Sequence, residues 1–170
     1  MLSQNKTKAK LRDGGVVVGC STMLVHPALV EYAGRAGFDW MLFDCEHGPG
    51  SPESIEVGVL AAENVGITPL ARVPVNRPEV ILRFMDTGLA GVLVPHVDSA
   101  DDARAAVRAL KFHPMGERGL AGTRAAGYGA IPQTEYVQLA NAETMLLVMI
   151  ESVPAVKNIE AIAQVEASTS

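Results

Sequence analysis

Two rhythms of hydrophobic and polar positions alternate along the chain. Short continuous apolar runs bounded by glycine or proline read as buried strands, and longer stretches with helical periodicity read as helices. Strands are expected at residues 16–21, 38–43, 68–73, 91–94 and 145–150. Helices are expected between them at residues 27–35, 51–64, 78–87, 100–110 and 134–141, with a last one at 153–165. Proline at first helical positions (Pro27, Pro52, Pro78) and glycine just past the ends (Gly37, Gly88) set the boundaries. Ser51 reads as an N-cap, and either Asp98 or Ser99 caps the helix that begins at Ala100. Only residues 111–133 break the rhythm. This stretch is long, glycine-rich and without clear period, the mark of a functional loop.

Repeated βα units imply an α/β fold with a parallel sheet and right-handed crossovers. Five strands allow an open doubly wound sheet or part of a (β/α)8 TIM barrel. Gly19-Cys20-Ser21-Thr22 lacks the G-x-G-x-x-G fingerprint, which weighs against a dinucleotide-binding domain. Polar residues gathered after several different strands weigh for a barrel.

Composition narrows the picture further. Of 170 residues, 48% are hydrophobic but only 5% aromatic, so the core is aliphatic, as buried parallel strands require. A net charge of −5 argues against nucleic acid as the partner. No apolar run is long enough to span a membrane. Cys20 and Cys45 form no C-x-x-C pair and fall in or beside strands, which suggests buried thiols of a reducing compartment. Lys6, Lys8, Lys10 and Arg12 precede the first acidic residue, Asp13. That faintly suggests a mitochondrial presequence, but a short amphipathic helix closing one end of the barrel is the favoured reading, with the cytoplasm as location.

Candidate chemistry lies at the strand ends. Asp44-Cys45-Glu46-His47-Gly48-Pro49 follows the second strand, Arg72 ends the third, and Glu151 ends the fifth. Asp86 sits at the end of a helix, where a carboxylate is unfavourable against the dipole and needs a partner. Each has a plain structural use as a cap or a surface ion pair. Together, carboxylates, an imidazole and a guanidinium describe an oxygen-rich site for a hard divalent cation and an anionic substrate.

The run from Ala33-Gly34-Arg35-Ala36-Gly37-Phe38-Asp39-Trp40 through Asp44-Cys45-Glu46-His47-Gly48-Pro49 resembles the HpcH/HpaI aldolase family. Leu70-Ala71-Arg72-Val73-Pro74, Gly91-Val92-Leu93-Val94-Pro95-His96-Val97, Pro114-Met115-Gly116-Glu117-Arg118-Gly119 and Met149-Ile150-Glu151-Ser152 extend the resemblance. It implies a (β/α)8 barrel of which this chain supplies about the first five units, and a class II aldolase using Mg2+ or Mn2+, with Co2+ a further candidate. The implied reaction cleaves 4-hydroxy-2-oxo acids to pyruvate, or a close analogue, and an aldehyde. By the same resemblance Glu151 is a metal ligand, with a second ligand, an aspartate, expected beyond Ser170. Arg72 holds the keto oxygen, His47 and Asp86 form an acid/base dyad, and Asp44 orients water or groups around the metal. Gly116, Arg118 and Gly119 belong to a loop near the substrate carboxylate. Met149 stands where many relatives carry glutamine, so one substrate-side hydrogen bond is missing. Relatives are homo-hexamers.

A Schiff-base mechanism is rejected. Past Arg12 the only lysines are Lys111 and Lys157, and neither falls in a strand. Two other readings stay open: a catalytically silent barrel remnant serving as an interaction module, and a citrate-lyase-like acyl-CoA lyase. The resemblance covers residues 1–166, and residues 167–170 read as an unrelated tail. A five-unit arc leaves the first and fifth strands with open edges. Each large aliphatic side chain left exposed forfeits about 1.5–3 kcal/mol, against a net domain stability of about 5–15 kcal/mol. The isolated chain is therefore expected to be unstable, aggregated or rescued by assembly.

Overall fold

The computed structural model describes residues 2–166, so the expected tail at 167–170 lies outside the described residues. Five strands form one sheet: β1 (Gly19–Thr22), β2 (Trp40–Asp44), β3 (Thr68–Arg72), β4 (Gly91–Val94) and β5 (Met145–Val148). All neighbours are parallel and the spatial order is β1-β2-β3-β4-β5. In a doubly wound sheet the strand order reverses at a switch point. Here each strand is added to the same edge, which is the winding of a barrel.

The connecting helices are α2 (Pro27–Arg35), α3 (Pro52–Val65), α4 (Pro78–Met85), α5 (Ala100–Leu110) and α6 (Gln133–Glu143). Local sequence accounts for their ends. Ser51 caps α3 in a reciprocal capping box with Ser54, and Gly66 closes it in the left-handed conformation at φ 74°. Ser99, rather than Asp98, caps α5. The apolar faces of these helices meet the sheet in a core built from Phe43, Ile55, Val59, Ile81, Met85, Val92 and Leu110.

The largest departures from expectation are in the first strand and the last helix. The first strand begins at Gly19, three residues late, because its partner begins only at Trp40 and pairs with Gly19. Val16 and Val18 are left exposed. The last helix is broken into α7 (Val153–Lys157) and α8 (Ile159–Ala163) at Asn158. The Asn158 side-chain amide donates to the carbonyl of Asp98, which holds the break.

The N-terminal end of the sheet is closed by α1 (Lys6–Arg12). Thr7 Oγ1 lies 3.1 Å from the carbonyl of Asp39 and 2.7 Å from Thr68 Oγ1, and the Asn5 amide donates to the carbonyls of Ala90 and Glu143. Asp39, Thr68 and Ala90 immediately precede or begin β2, β3 and β4, and Glu143 ends α6 just before β5. The basic N-terminal stretch thus forms a closing helix.

Residues 111–132 are irregular apart from a 3-10 turn at Gly127–Gly129, yet they are firmly packed. Phe112, Ala125 and Ala126 join Leu2, Tyr136 and Ala140 in a second small core. Arg124 is buried, pairs with Glu63 at 2.7 Å and donates to the carbonyl of Thr87. Lys111 is also buried, its ammonium bonded to the carbonyls of Asn141 and Thr144 and to the Thr144 hydroxyl. It thereby satisfies carbonyls at the C-terminus of α6 that would otherwise be orphaned.

Candidate functional site

Asp44 and Arg72 are register partners at the ends of β2 and β3, so their side chains emerge side by side at the C-terminal rim. Arg72 Nε donates to Asp44 Oδ1 at 2.9 Å and Nη2 donates to Oδ2 at 2.5 Å. Such a bidentate fork fixes the guanidinium plane. It also holds the Asp44 carboxyl below its ordinary pKa, chiefly through the Arg72 bonds, with the backbone N–H of His47 adding to the effect. The same backbone bonds from Glu46 and His47 to Oδ1 wind the loop tightly behind the strand. Gly48 completes this turn, since a Cβ there would stand 2.3 Å from the carbonyl oxygen of Asp44.

The third guanidinium nitrogen, Nη1, faces the rim. It lies 3.0 Å from Glu46 Oε2, without hydrogen-bond alignment, and 3.7 Å from Met149 Sδ. Beyond Glu46 stands His96, between β4 and α5. Its Nε2 is 3.2 Å from Glu46 Oε1, and its Nδ1 is 3.2 Å from Glu151 Oε1. A continuous chain of charged and polar groups therefore crosses the rim: Asp44, Arg72, Glu46, His96, Glu151. The residues at the ends of β2, β3 and β5 were legible in the sequence. Glu46 and His96 were not assigned roles, although both stand inside the quoted motifs.

Other expected site residues fall elsewhere. His47 is exposed at the rim, and its ring lies 3.8 Å from Glu46 Oε2. Asp86 does not meet it. Asp86 caps the C-terminus of α4, which leads into the N-terminal end of β4, so within one chain it lies at the opposite end of the sheet. Its carboxylate pairs with Arg118 at 2.7 Å, which answers the unfavourable helix-end position. The loop of Gly116, Arg118 and Gly119 is likewise away from the rim. Glu117 and Arg118 donate backbone bonds to the carbonyls of Arg108 and Lys111 at the end of α5, and Arg118 stacks on Phe112 at 4.7 Å. Within this chain, therefore, neither the His47–Asp86 dyad nor the placement of this loop beside the rim is formed.

Cys45 is buried behind Asp44, and burial, with the Asp44 charge, pushes its thiol up to about 12. Such a thiol is inert. Cys20 is only half-buried, contrary to the expectation of two buried thiols.

Among the described residues no three His, Cys, Asp or Glu side chains converge on one point. The donors present nonetheless suit a hard cation in kind. Glu151 is exposed at the rim with Oε1 accepting the His96 backbone N–H, and Glu46 Oε2 is buried without a hydrogen bond. Mg2+ commonly takes one or two protein carboxylates and completes its shell with water and substrate oxygens.

A singly wound parallel βα arc with its charged groups at the strand C-termini defines the chain as part of a (β/α)8 barrel. The model of the HpcH/HpaI aldolase/citrate lyase family matches residues 18–169, and the chain belongs to that family. It is 40% identical to a 4-hydroxy-2-oxovalerate aldolase of Novosphingobium aromaticivorans, over 95% of this chain and 62% of that protein. It is 38% identical to a pyruvate aldolase of Rhizobium etli, over 97% of this chain and 65% of that protein. Among solved structures, an HpcH/HpaI aldolase from Desulfitobacterium hafniense superposes with a TM-score of 0.88 at 34% identity, covering 95% of this chain and 62% of that one. A citrate synthase, SbnG, superposes with a TM-score of 0.87 at 30% identity, covering 97% and 63%. The chain thus spans somewhat under two thirds of the length of the proteins it matches. Among the described residues no helix is long and apolar enough to cross a membrane.

Proposed function

We propose that this chain carries the strand-end site of a metal-dependent aldolase acting on 4-hydroxy-2-oxo acids. The observation that carries the reading is the Arg72 guanidinium, locked by Asp44 through Nε and Nη2 so that Nη1 alone faces the rim, between Glu46 and Met149.

Aldol cleavage removes the proton of the 4-hydroxyl and breaks the C3–C4 bond, releasing an aldehyde. The bonding pair is left as the enolate of pyruvate, which then takes a proton at C3. Charge grows on the former keto oxygen. A donor already aimed at that oxygen stabilises the transition state more than the ground state. Arg72 Nη1 is that donor, and Asp44 spares it reorientation as the charge develops. Glu151 would hold the divalent ion, which when bound supplies further positive charge at the 2-oxo acid's oxygens. His47, exposed on the loop behind β2, would accept the hydroxyl proton directly or through one water. Glu46, rather than Asp86, is the carboxylate beside it in this chain. Lys111 bonds only to residues at the C-terminus of α6, so its amine is not offered for a covalent intermediate at the rim.

The names of the aldolase relatives support this reading, and the likeness to a citrate synthase supports a second one. In that alternative the same rim joins a carbanion to an oxo acid instead of splitting one. Pyruvate release from 4-hydroxy-2-oxovalerate, followed by coupled NADH oxidation with Mg2+ or Mn2+, tests the first reading. Ion-dependent turnover that EDTA abolishes is expected. No pyruvate with either ion at saturating substrate would leave the citrate-type reading or a silent module.

A further inference from the structure

His96 carries two signals that the reaction above leaves unused. Its backbone lies in the left-handed region at φ 54°, one of only two non-glycine residues to do so among those described. A residue with a Cβ is strained there and glycine is not. Strain of this kind persists where surrounding contacts hold it, often at functional sites.

The contacts that hold it converge on one oxygen. The backbone N–H of His96 donates to Glu151 Oε1 at 2.8 Å, and the ring Nδ1 lies 3.2 Å from the same atom. On the other side of the ring, Nε2 reaches Glu46 Oε1 at 3.2 Å, and Glu46 is itself anchored against Arg72. The ring, largely exposed, lies between Glu46 and the Glu151 carboxylate. With Oε1 accepting the His96 backbone N–H and the ring Nδ1 close beside it, Oε2 is left without a hydrogen bond among the described residues.

We propose that His96 is a positioning residue for Glu151. Its left-handed turn brings backbone N–H and imidazole onto Oε1, which presents Oε2 to a divalent cation at the rim. The inference rests on the reading of Glu151 as an ion ligand. Groups that orient a ligating carboxylate typically govern metal affinity by about 10–100-fold.

The test is Mn2+ binding to the full chain, read from the loss of the free-ion EPR signal, together with thermal melts in the absence of metal. His96→Gly removes the ring and relieves the backbone. It is expected to weaken Mn2+ binding by about 10–100-fold while the metal-free melting temperature stays level or rises. His96→Asn, which tolerates the left-handed backbone and keeps a side-chain donor, is expected to recover part of the affinity. Glu151→Gln is expected to lose it. Mn2+ binding by His96→Gly equal to that of the unaltered chain, with Glu151→Gln weakened, would overturn the role of His96 alone. Weaker binding in both His96 variants with a lowered metal-free melting temperature would make the residue structural and overturn it too. No Mn2+ binding by the unaltered chain, or none lost in Glu151→Gln, would overturn the ion reading and this inference with it.

Discussion

Asp44 and Arg72 face each other across β2 and β3 as register partners, joined by two hydrogen bonds between carboxylate and guanidinium. Both side chains are largely buried, so the pair is screened little by solvent. It makes one unit of two strands and leaves a single guanidinium nitrogen for the rim.

Removing the carboxylate separates its structural from its chemical part. Asp44→Asn is expected to lower stability by about 1.5–3 kcal/mol near neutral pH. The sign of the pH dependence follows from the depressed Asp44 pKa. The folded chain binds this proton less readily than the unfolded one. The stabilisation is therefore complete above the ordinary aspartate range and lost as pH falls through the folded value. Urea melts between pH 3 and about 7 should show the two proteins converging at the acid end.

Arg72→Lys keeps the charge but loses the fork. A lysine cannot bind Asp44 through two parallel bonds and still present a third donor. Under the proposed reaction, kcat is expected to fall by about 10²–10³-fold, the usual loss for one oxyanion donor. KM for the oxo acid should change far less. Steady-state pyruvate release checks the split.

Lys111 offers a test far from the rim. Burial lowers its pKa to about 8 from the ordinary 10.5, against the pull of its three acceptors. Between those values the unfolded chain holds a proton that the folded chain has given up, so stability rises with pH across that window. Lys111→Met abolishes this rise and leaves carbonyls near the end of α6 unsatisfied, at about 1–3 kcal/mol each. Chemical denaturation of both proteins from pH 7 to about 10.5 reads both effects.

The outer face beside β1 is apolar and open. Leu24, Leu29 and Tyr32 are exposed there, and Cys20, Phe38 and Met41 line the adjoining hollow. An edge strand beside such a face is an association surface. The chain is expected to self-associate into soluble oligomers through this face at micromolar concentration. Light scattering behind size exclusion decides it. A monomer at that concentration would contradict it.

The alternation of β1 to β5 with α2 to α6 was legible in the sequence because it is written in local terms. Apolar runs, Ser51 and Ser99 as caps, Pro27, Pro52 and Pro78 at helix starts and Gly37 and Gly88 just past helix ends each act over a turn or two of chain. Asp44, Arg72 and Glu151 could be placed at strand ends for the same reason. Only the tertiary structure decided which groups meet. Within this chain Asp86 pairs with Arg118 and lies away from His47, because a parallel βα unit puts the C-terminal ends of helices and strands at opposite ends of the sheet. The loop of Gly116, Arg118 and Gly119 folds onto the end of α5, through backbone bonds that no spacing announces. His96 joins Glu46 to Glu151 across 50 and 55 residues of chain, in a backbone conformation its sequence disfavours. Partner choice of that kind is set by long-range packing, and local pattern carries no record of it.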